Sequence, residues 1–182
     1  MEYRIIRSGR KTLGLEIKAG ELIVRAPWTA TQREIDAMLR DHGDWIEKHM
    51  RMSRERMETA AGIRPLTEEE LKALGRKAAA YLPDRISHYA GLLGVRPGKV
   101  TIRAQRTRWG SCSASGSLNF NCLLMLTPPE VIDSVVVHEL CHLKEMNHSA
   151  RFYAEVRRVY PEYDTWHGWL KAHQTELLAR LG

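Results

Sequence analysis

The chain has 182 residues, of which 28 are Lys or Arg and 22 are Asp or Glu, so its formal net charge is +6. With 43% hydrophobic and 27% charged residues it has the composition of a globular protein, which excludes collagen-like, coiled-coil and fully disordered chains. The length suits one domain, or one domain with a small accessory lobe. No apolar run approaches the roughly 18 residues of a membrane span, and the N-terminus has no apolar stretch typical of a secretory signal. We therefore expect a cytoplasmic, monomeric protein with no membrane partner.

The middle of the chain accounts for the whole excess of positive charge. No acidic residue lies between Asp84 and Glu130, and that interval has six basic residues: Arg85, Arg96, Lys99, Arg103, Arg106 and Arg108. The segments on either side have net charges of +2 and −2. An acid-free basic stretch is typical of surfaces that bind nucleic acid. Nucleic acid is therefore a possible partner.

The three cysteines are Cys112, Cys122 and Cys141, an odd number, and no two of them form a CxxC pair. A disulfide framework and a cysteine-based zinc site both require paired spacings. We therefore expect reduced and mostly buried thiols.

The N-terminal third of the chain combines short strands with a helix. Apolar and polar residues alternate up to Pro27, with breaks at Ser8-Gly9 and Ala19-Gly20, and this pattern predicts three short antiparallel strands. Thr31 and Glu34 have capping-box spacing, which predicts one long helix that continues to about residue 58. Gly62 to Pro65 has the composition of a linker. We expect a lobe over 1–62 and a core over 63–182, or alternatively one continuous domain.

The core begins and ends with helices. Thr67 and Glu70 form a second capping box, which predicts a helix to about Leu93. Residues 100–126 alternate around a Ser- and Gly-rich turn and predict a hairpin or a small sheet edge. In Thr127-Pro128-Pro129-Glu130 we expect Thr to cap a helix and the first Pro to be its first residue, with the helix reaching about Met146. Further helices are expected over about 150–160 and 165–181. This order predicts an α+β fold with a small antiparallel N-terminal sheet, and not a wound βαβ sheet.

The third predicted helix contains His138, Glu139 and His142 in the pattern HExxH. Two His residues four positions apart project from one helical face and can bind one metal ion. Glu139 lies about 100° round the helix, where it can accept a proton from a zinc-bound water. The alternative is a pair of structural histidines inside a core helix.

A catalytic zinc site needs a third protein ligand. His148 follows His142 by six residues, which is the spacing of metzincins, although those proteins have Gly where this chain has Glu145. Asn147 tolerates left-handed geometry, so Met146-Asn147 offers another way to turn the chain. The rival ligand is Glu162, which has thermolysin-like spacing but lies in a predicted loop. We favour His148 and expect one Zn²⁺ per chain.

A set of motifs in order along the chain resembles the YgjP-like metallopeptidase family, which is related to the SprT-like and WLM (Wss1-like) proteins of the zincin group. The motifs are Arg108-Trp-Gly-Ser-Cys112, Asn121, Leu123, the HExxH segment from Val137 to Leu143, Asn147-His-Ser149 and Phe152. The resemblance implies a zincin-like catalytic core with an active-site helix. It also implies that His138, His142 and His148 bind zinc and that Glu139 is the general base. Cys141 departs from the family, which has a small residue such as Ala there.

The substrate of such an enzyme is a peptide or protein. We expect Trp109, Asn121 and His167 to contact it, with Trp109 also packing in the core and Gly110 permitting a close backbone approach. In zincins an edge strand pairs with the substrate backbone, and here that strand is either 118–124 or its partner around Trp109. The hairpin alternatively serves only to complete a small sheet.

Three functions are compatible with these features. The first is zinc-dependent peptide hydrolysis. The second is a DNA-associated protease or a nucleic-acid-binding protein with a structural zinc, because SprT-like and Wss1-like relatives act on DNA–protein crosslinks. The third is a non-catalytic zinc protein, against which the intact Glu139 argues, since a structural site needs no base.

Overall fold

A computed structural model describes residues 2–18 and 20–182 of the chain. Within those residues it has six α-helices and two three-stranded sheets, so the expected α+β class is confirmed. The chain divides into two compact units, Met1–Ile63 and Arg64–Gly182. In the part of the chain that is described, no helix is both long enough and apolar enough to cross a bilayer.

The sheet of the first unit is mixed and not wholly antiparallel as predicted. Its strands are β1 (Arg4–Ser8), β2 (Gly14–Lys18) and β3 (Glu21–Pro27), in the order β1-β3-β2. β3 pairs antiparallel with β2 but parallel with β1. β3 has the most deeply buried side chains and lies at the centre of the sheet. β1 therefore pairs with β3, which runs in the same direction, and not with β2, which runs in the opposite direction. Of the predicted break at 19–20, Ala19 lies outside the described residues, and Gly20 has the positive φ of +76° that favours glycine.

The predicted long helix of this unit is two helices, α1 (Gln32–Asp41) and α2 (Gly43–Ala61). The capping box of Thr31 and Glu34 is present at the start of α1. The break falls at His42, whose backbone leaves the helical region at φ −112° and whose Nδ1 lies 2.9 Å from the carbonyl oxygen of Met38. Because Gly follows at position 43, the sequence has little local preference to continue the first helix.

The second unit begins with α3 (Glu68–Leu93), which has the predicted capping box and ends at Gly94 with φ +68°. Its sheet has β4 (Val100–Arg103), β5 (Gly110–Cys112) and β6 (Leu118–Asn121) in the order β4-β6-β5. The hairpin is confirmed for β5 and β6, which pair antiparallel, while β4 runs parallel to β6. The apolar residues after β6 form a 3₁₀ helix, Cys122–Leu126, instead of extending the strand.

Helix α4 (Pro129–Cys141) follows and is buried on almost every side. It begins one residue later than predicted, because the Thr127 hydroxyl donates to the carbonyl of Leu124 and does not cap the helix. It ends five residues before the predicted Met146. Two further helices, α5 (Ala150–Val159) and α6 (Tyr163–Ala179), pack with α4 around one hydrophobic core.

One buried carboxylate joins α3 to α4. Asp133 is 7% exposed, and its two oxygens accept hydrogen bonds from Arg85 Nε at 2.7 Å and Arg85 Nη2 at 2.5 Å. The Tyr89 hydroxyl donates to the same carboxylate at 3.1 Å. Arg85 and Tyr89 are four residues apart and therefore share one face of α3. Since most of the other buried contacts of α4 are apolar and non-directional, this ion pair constrains its rotation.

We predict that Asp133→Ala lowers the free energy of unfolding by about 2–4 kcal/mol, because it leaves a half-buried guanidinium and a buried phenol without their acceptor. Urea denaturation followed by circular dichroism measures this. The control is Asp164→Ala, which breaks the Arg157–Asp164 pair on the surface and should change stability little. Equal losses in the two variants would contradict the anchoring role of Asp133.

Candidate metal centre

The last turn of α4 presents the residues of the HExxH motif. His138 is half-buried, and its Nδ1 lies 2.9 Å from the hydroxyl oxygen of Tyr163 on α6. His142 is the C-cap of α4, and its Nδ1 lies 3.2 Å from the carbonyl oxygen of Glu145. Each ring is therefore held through Nδ1, which leaves Nε2 free to face a ligand.

His148 is brought back to the helix by a tight reversal of the chain. The backbone N–H groups of Lys144 and Glu145 both donate to the carbonyl of Cys141, each at 3.0 Å. The chain bends at Met146 and Asn147, and Ser149 then caps α5 by accepting a hydrogen bond from the Phe152 N–H. His148 consequently lies at the entrance of α5, exposed and opposite the end of α4.

The three imidazoles fit one metal ion. One ring nitrogen from each of His138, His142 and His148 lies within 4.8 Å of the other two. Among residues 2–18 and 20–182, these three side chains form the one group of His, Cys, Asp or Glu residues placed to share a metal ion. The Nε2 atoms of His138 and His148 are 3.0 Å apart. Tetrahedral zinc with bonds of about 2.0–2.1 Å requires nitrogens about 3.4 Å apart. Glu162, the rival ligand, lies at the start of α6 with its side chain exposed, outside this cluster.

Phe152 forms the floor of the cluster. Its fully buried ring has its centroid 4.9, 4.6 and 4.9 Å from the ring centroids of His138, His142 and His148. A rigid aromatic surface under all three imidazoles restricts their tilt. The sequence placed Phe152 in a family motif but gave it no role at the site.

Glu139 is enclosed next to the cluster. Its side chain is 6% exposed, and in the described part of the protein its Oε2 has no hydrogen-bond partner. Burial raises the pKa of Glu139 to about 7, while the positive charge of Arg108 acts in the opposite direction. A buried carboxyl oxygen without a partner is expensive unless a ligand or water meets it. The Oε2 atom of Glu139 is therefore available to a ligand or to water.

Gly110 on β5 makes room for that carboxyl group. A Cβ at this position would lie 2.6 Å from both Cγ and Oε1 of Glu139, closer than non-bonded atoms approach. The expectation that glycine here permits a close backbone approach is therefore confirmed. Any other residue at 110 would displace the Glu139 side chain.

A cleft of about 220 Å³ opens beside Glu139. Trp109 and His167, two of the three residues expected to contact substrate, line it, and Trp109 also packs against the core as expected. The complete lining is Thr107, Arg108, Trp109, Gly110, Val135, His138, Glu139, His167 and Leu170. Apolar walls and a few polar groups that converge on one point are typical of a substrate site.

Asn121, the third of these residues, does not reach the cleft. It is fully buried, and its amide nitrogen donates to the carbonyls of Gln105 at 2.7 Å and Arg108 at 2.9 Å. Its side-chain oxygen accepts from the N–H of Leu123 at 3.1 Å. The expected substrate contact is therefore corrected: Asn121 holds the loop that carries Arg108 and Trp109 to the cleft wall.

The sheet offers only one of the two strands expected to pair with substrate. β6 is paired on both sides, so the alternative over 118–124 is wrong. β5 is an edge strand, and it runs directly beside the end of α4. Its outer backbone groups can accept an extended peptide.

The basic stretch is partly used within the fold. Arg85 pairs with Asp133, and Arg106 donates to the backbone carbonyls of Leu181 and Gly182. Lys99 and Arg103 are exposed. The nucleic-acid hypothesis stays a prediction.

We predict that Gly110→Ala destabilises the protein by about 1–3 kcal/mol, because the new methyl group overpacks the Glu139 side chain. The matched control is Gly75→Ala in α3, where no atom lies within 4 Å of the added Cβ and where Ala should stabilise the helix by about 0.5–1 kcal/mol. Urea unfolding of both variants measures the difference. A Gly110→Ala variant as stable as Gly75→Ala would contradict the close approach.

Comparison with known proteins identifies the family. The model of the YgjP-like, metallopeptidase domain matches residues 11–79 and 67–173, while no curated relative matches. Among solved structures, the metallopeptidase zymogen of Pyrococcus abyssi abylysin is 28% identical at a TM-score of 0.46, over 50% of this chain and 94% of that one. The metallopeptidase zymogen of Methanocaldococcus jannaschii jannalysin is 20% identical at a TM-score of 0.45, over 50% of this chain and 95% of that one. Because the family model spans most of the chain, the protein belongs to the YgjP-like metallopeptidase family and is a metal-dependent protease.

Proposed function

We propose that the protein is a zinc-dependent peptidase in which His138, His142 and His148 hold one zinc ion and Glu139 is the general base. The observation that carries this proposal is the placement of three imidazole nitrogens within 4.8 Å of one another beside a buried carboxyl group with an unpartnered oxygen. All four residues belong to the unit Arg64–Gly182, which we propose as the catalytic domain.

The environment of the histidines favours their metal-binding form. Burial, reinforced by the neighbouring imidazoles, lowers the pKa of His138 to about 3, and burial also lowers the pKa of His142. Neutral imidazole is the form that coordinates zinc. When bound in such a site, zinc polarises a substrate carbonyl and lowers the pKa of a water molecule towards about 7.

Glu139 moves the proton in the reaction. Its carboxylate takes a proton from the attacking water as the water oxygen bonds to the carbonyl carbon of the substrate. The same carboxyl group then donates that proton to the leaving nitrogen as the C–N bond breaks, which gives a carboxylic acid and an amine. Gly110 allows Glu139 to keep this position during both transfers, because the carboxyl group occupies the space that a side chain at position 110 would fill.

The substrate is an extended peptide or protein segment. The free edge of β5 supplies backbone hydrogen bonds that pair with a peptide without regard to its sequence. Trp109 and Leu170 form apolar walls of the adjoining cleft, so they meet a side chain of the bound segment. The reacting carbonyl then lies between the histidine cluster and Glu139.

We predict that Glu139→Gln binds zinc normally and hydrolyses peptides at least about 10³-fold more slowly, because the amide keeps the shape of the side chain but cannot accept the proton. Metal analysis gives the zinc content, and a library of quenched fluorescent peptides gives the rate. A variant with full zinc and full activity would exclude Glu139 as the base.

We predict about one zinc per purified chain and its loss in His148→Ala, since two imidazoles alone bind zinc far more weakly. The control is His173→Ala, which removes an imidazole that stacks on Trp169 away from the cluster and should leave the zinc content unchanged. Retention of zinc by His148→Ala would exclude His148 as a ligand, and Glu162→Ala then tests the rival.

A further inference from the structure

Tyr163 links two histidines at the site through a single hydroxyl group. Its side chain is 1% exposed, and its oxygen lies 2.9 Å from Nδ1 of His138 and 3.3 Å from Nδ1 of His167. The rings are nearly parallel, with interplanar angles of 16° between Tyr163 and His138 and 19° between Tyr163 and His167. The three groups therefore form one hydrogen-bonded row from the metal cluster to the cleft.

The direction of the hydrogen bonds in this row follows from the proton count. A neutral imidazole has one N–H, and a phenol has one O–H. If Nε2 of His138 binds a metal ion, its proton resides on Nδ1, which then donates to the Tyr163 oxygen. The Tyr163 hydroxyl is left to donate to Nδ1 of His167. His167 must then have its own proton on Nε2.

The second ring nitrogen of His167, Nε2, is the one available to a bound substrate. Nδ1 is occupied by Tyr163, and the ring lines the same cleft as Glu139 and Trp109. The nearby carboxylate of Asp164 does not compete for His167, because Arg157 binds its two oxygens at 2.7 and 3.1 Å. The orientation of His167 therefore depends on Tyr163.

We propose, on the basis of the zinc peptidase function above, that Tyr163 is a positioning residue that fixes the protons of His138 and His167, so that His167 presents an Nε2–H donor to the carbonyl oxygen of the substrate. Tyr163 thus has two effects. It holds a metal ligand in its binding tautomer, and it orients a catalytic donor that strengthens its hydrogen bond as negative charge develops on the oxygen.

The first test measures zinc affinity in the full chain by competition with a chelator. Tyr163→Phe should weaken zinc binding about 10–100-fold, since the Nδ1–H of His138 loses its acceptor. Tyr153→Phe is the control, because it removes a hydroxyl group from a neighbouring ring, whose centroid is 6.2 Å from that of His148, and leaves both hydrogen bonds of Tyr163 in place. Urea unfolding of both variants checks that they are folded. Zinc affinity in Tyr163→Phe within about twofold of the wild type would overturn the effect on His138.

The second test reads the tautomer directly. Two-bond ¹H–¹⁵N correlation spectra of the zinc-loaded wild-type chain should show His167 protonated at Nε2 and not at Nδ1, and this preference should be lost in Tyr163→Phe. The His167 signals are assigned by their absence in His167→Gln. Protonation of His167 at Nδ1 in the wild type would overturn the proposal, whereas absence of zinc binding by the wild type would overturn the zinc peptidase function itself.

The third test separates a catalytic donor from a structural residue. His167→Ala should lower kcat about 10²–10³-fold with little change in KM or zinc affinity. His167→Gln, which places an amide N–H near the position of Nε2, should recover part of that loss. Equal activity of His167→Ala and wild type, or no recovery in His167→Gln relative to His167→Ala, would exclude His167 as the donor.

Discussion

The rotation of α4 about its own axis is the constraint on which the site depends. Most helices are oriented by the contrast between an apolar and a polar face, but α4 is apolar almost all round and buries ten of its thirteen residues. Directional contacts therefore set its orientation, among them the Asp133 carboxylate held by Arg85 and Tyr89 of α3. With that pair in place, His138 faces α5 and α6 while Glu139 faces β5. A rotation of α4 by one residue, about 100°, would turn His138 away from α5 and α6 and Glu139 away from β5.

Glu139 is enclosed at a cost in stability. A buried carboxyl group with an unpartnered oxygen and a raised pKa is unfavourable in a folded protein. The fold maintains it by placing glycine at 110 and by holding the neighbouring loop from beneath, through the fully buried amide of Asn121. The two residues act together, since Asn121 fixes the loop that leads into β5 and Gly110 is the first residue of that strand. The stabilising contacts of this region are therefore made by the residues around Glu139 and not by its carboxyl group.

Local signals in the sequence predicted the parts of the fold that local physics determines. Both capping boxes are present where Thr and Glu stand three residues apart, and the hairpin of β5 and β6 surrounds its Ser- and Gly-rich turn. The spacing of HExxH and His148 likewise anticipated the cluster. Tertiary effects were not accessible in this way. β1 runs parallel to β3 because β3, the most buried strand, lies at the centre of its sheet. Asn121 has a structural role because its amide binds two carbonyl groups that are more than ten residues away in the sequence. Tyr163 lies 25 residues from His138, and no spacing rule connects them.

The end of α4 explains how the His148 spacing is achieved with Glu at position 145. The metzincin pattern has glycine there, but this chain ends the helix at Cys141, where a single carbonyl accepts the N–H groups of both Lys144 and Glu145. The carbonyl of Glu145 then lies 3.2 Å from Nδ1 of His142, so the residue contributes to the site through its backbone. The bend at 146–147 and the Ser149 cap complete the return of the chain to the metal cluster. Glu145 thus takes part in the reversal through its N–H group and orients His142 through its carbonyl group, which couples the second proposed ligand to the third.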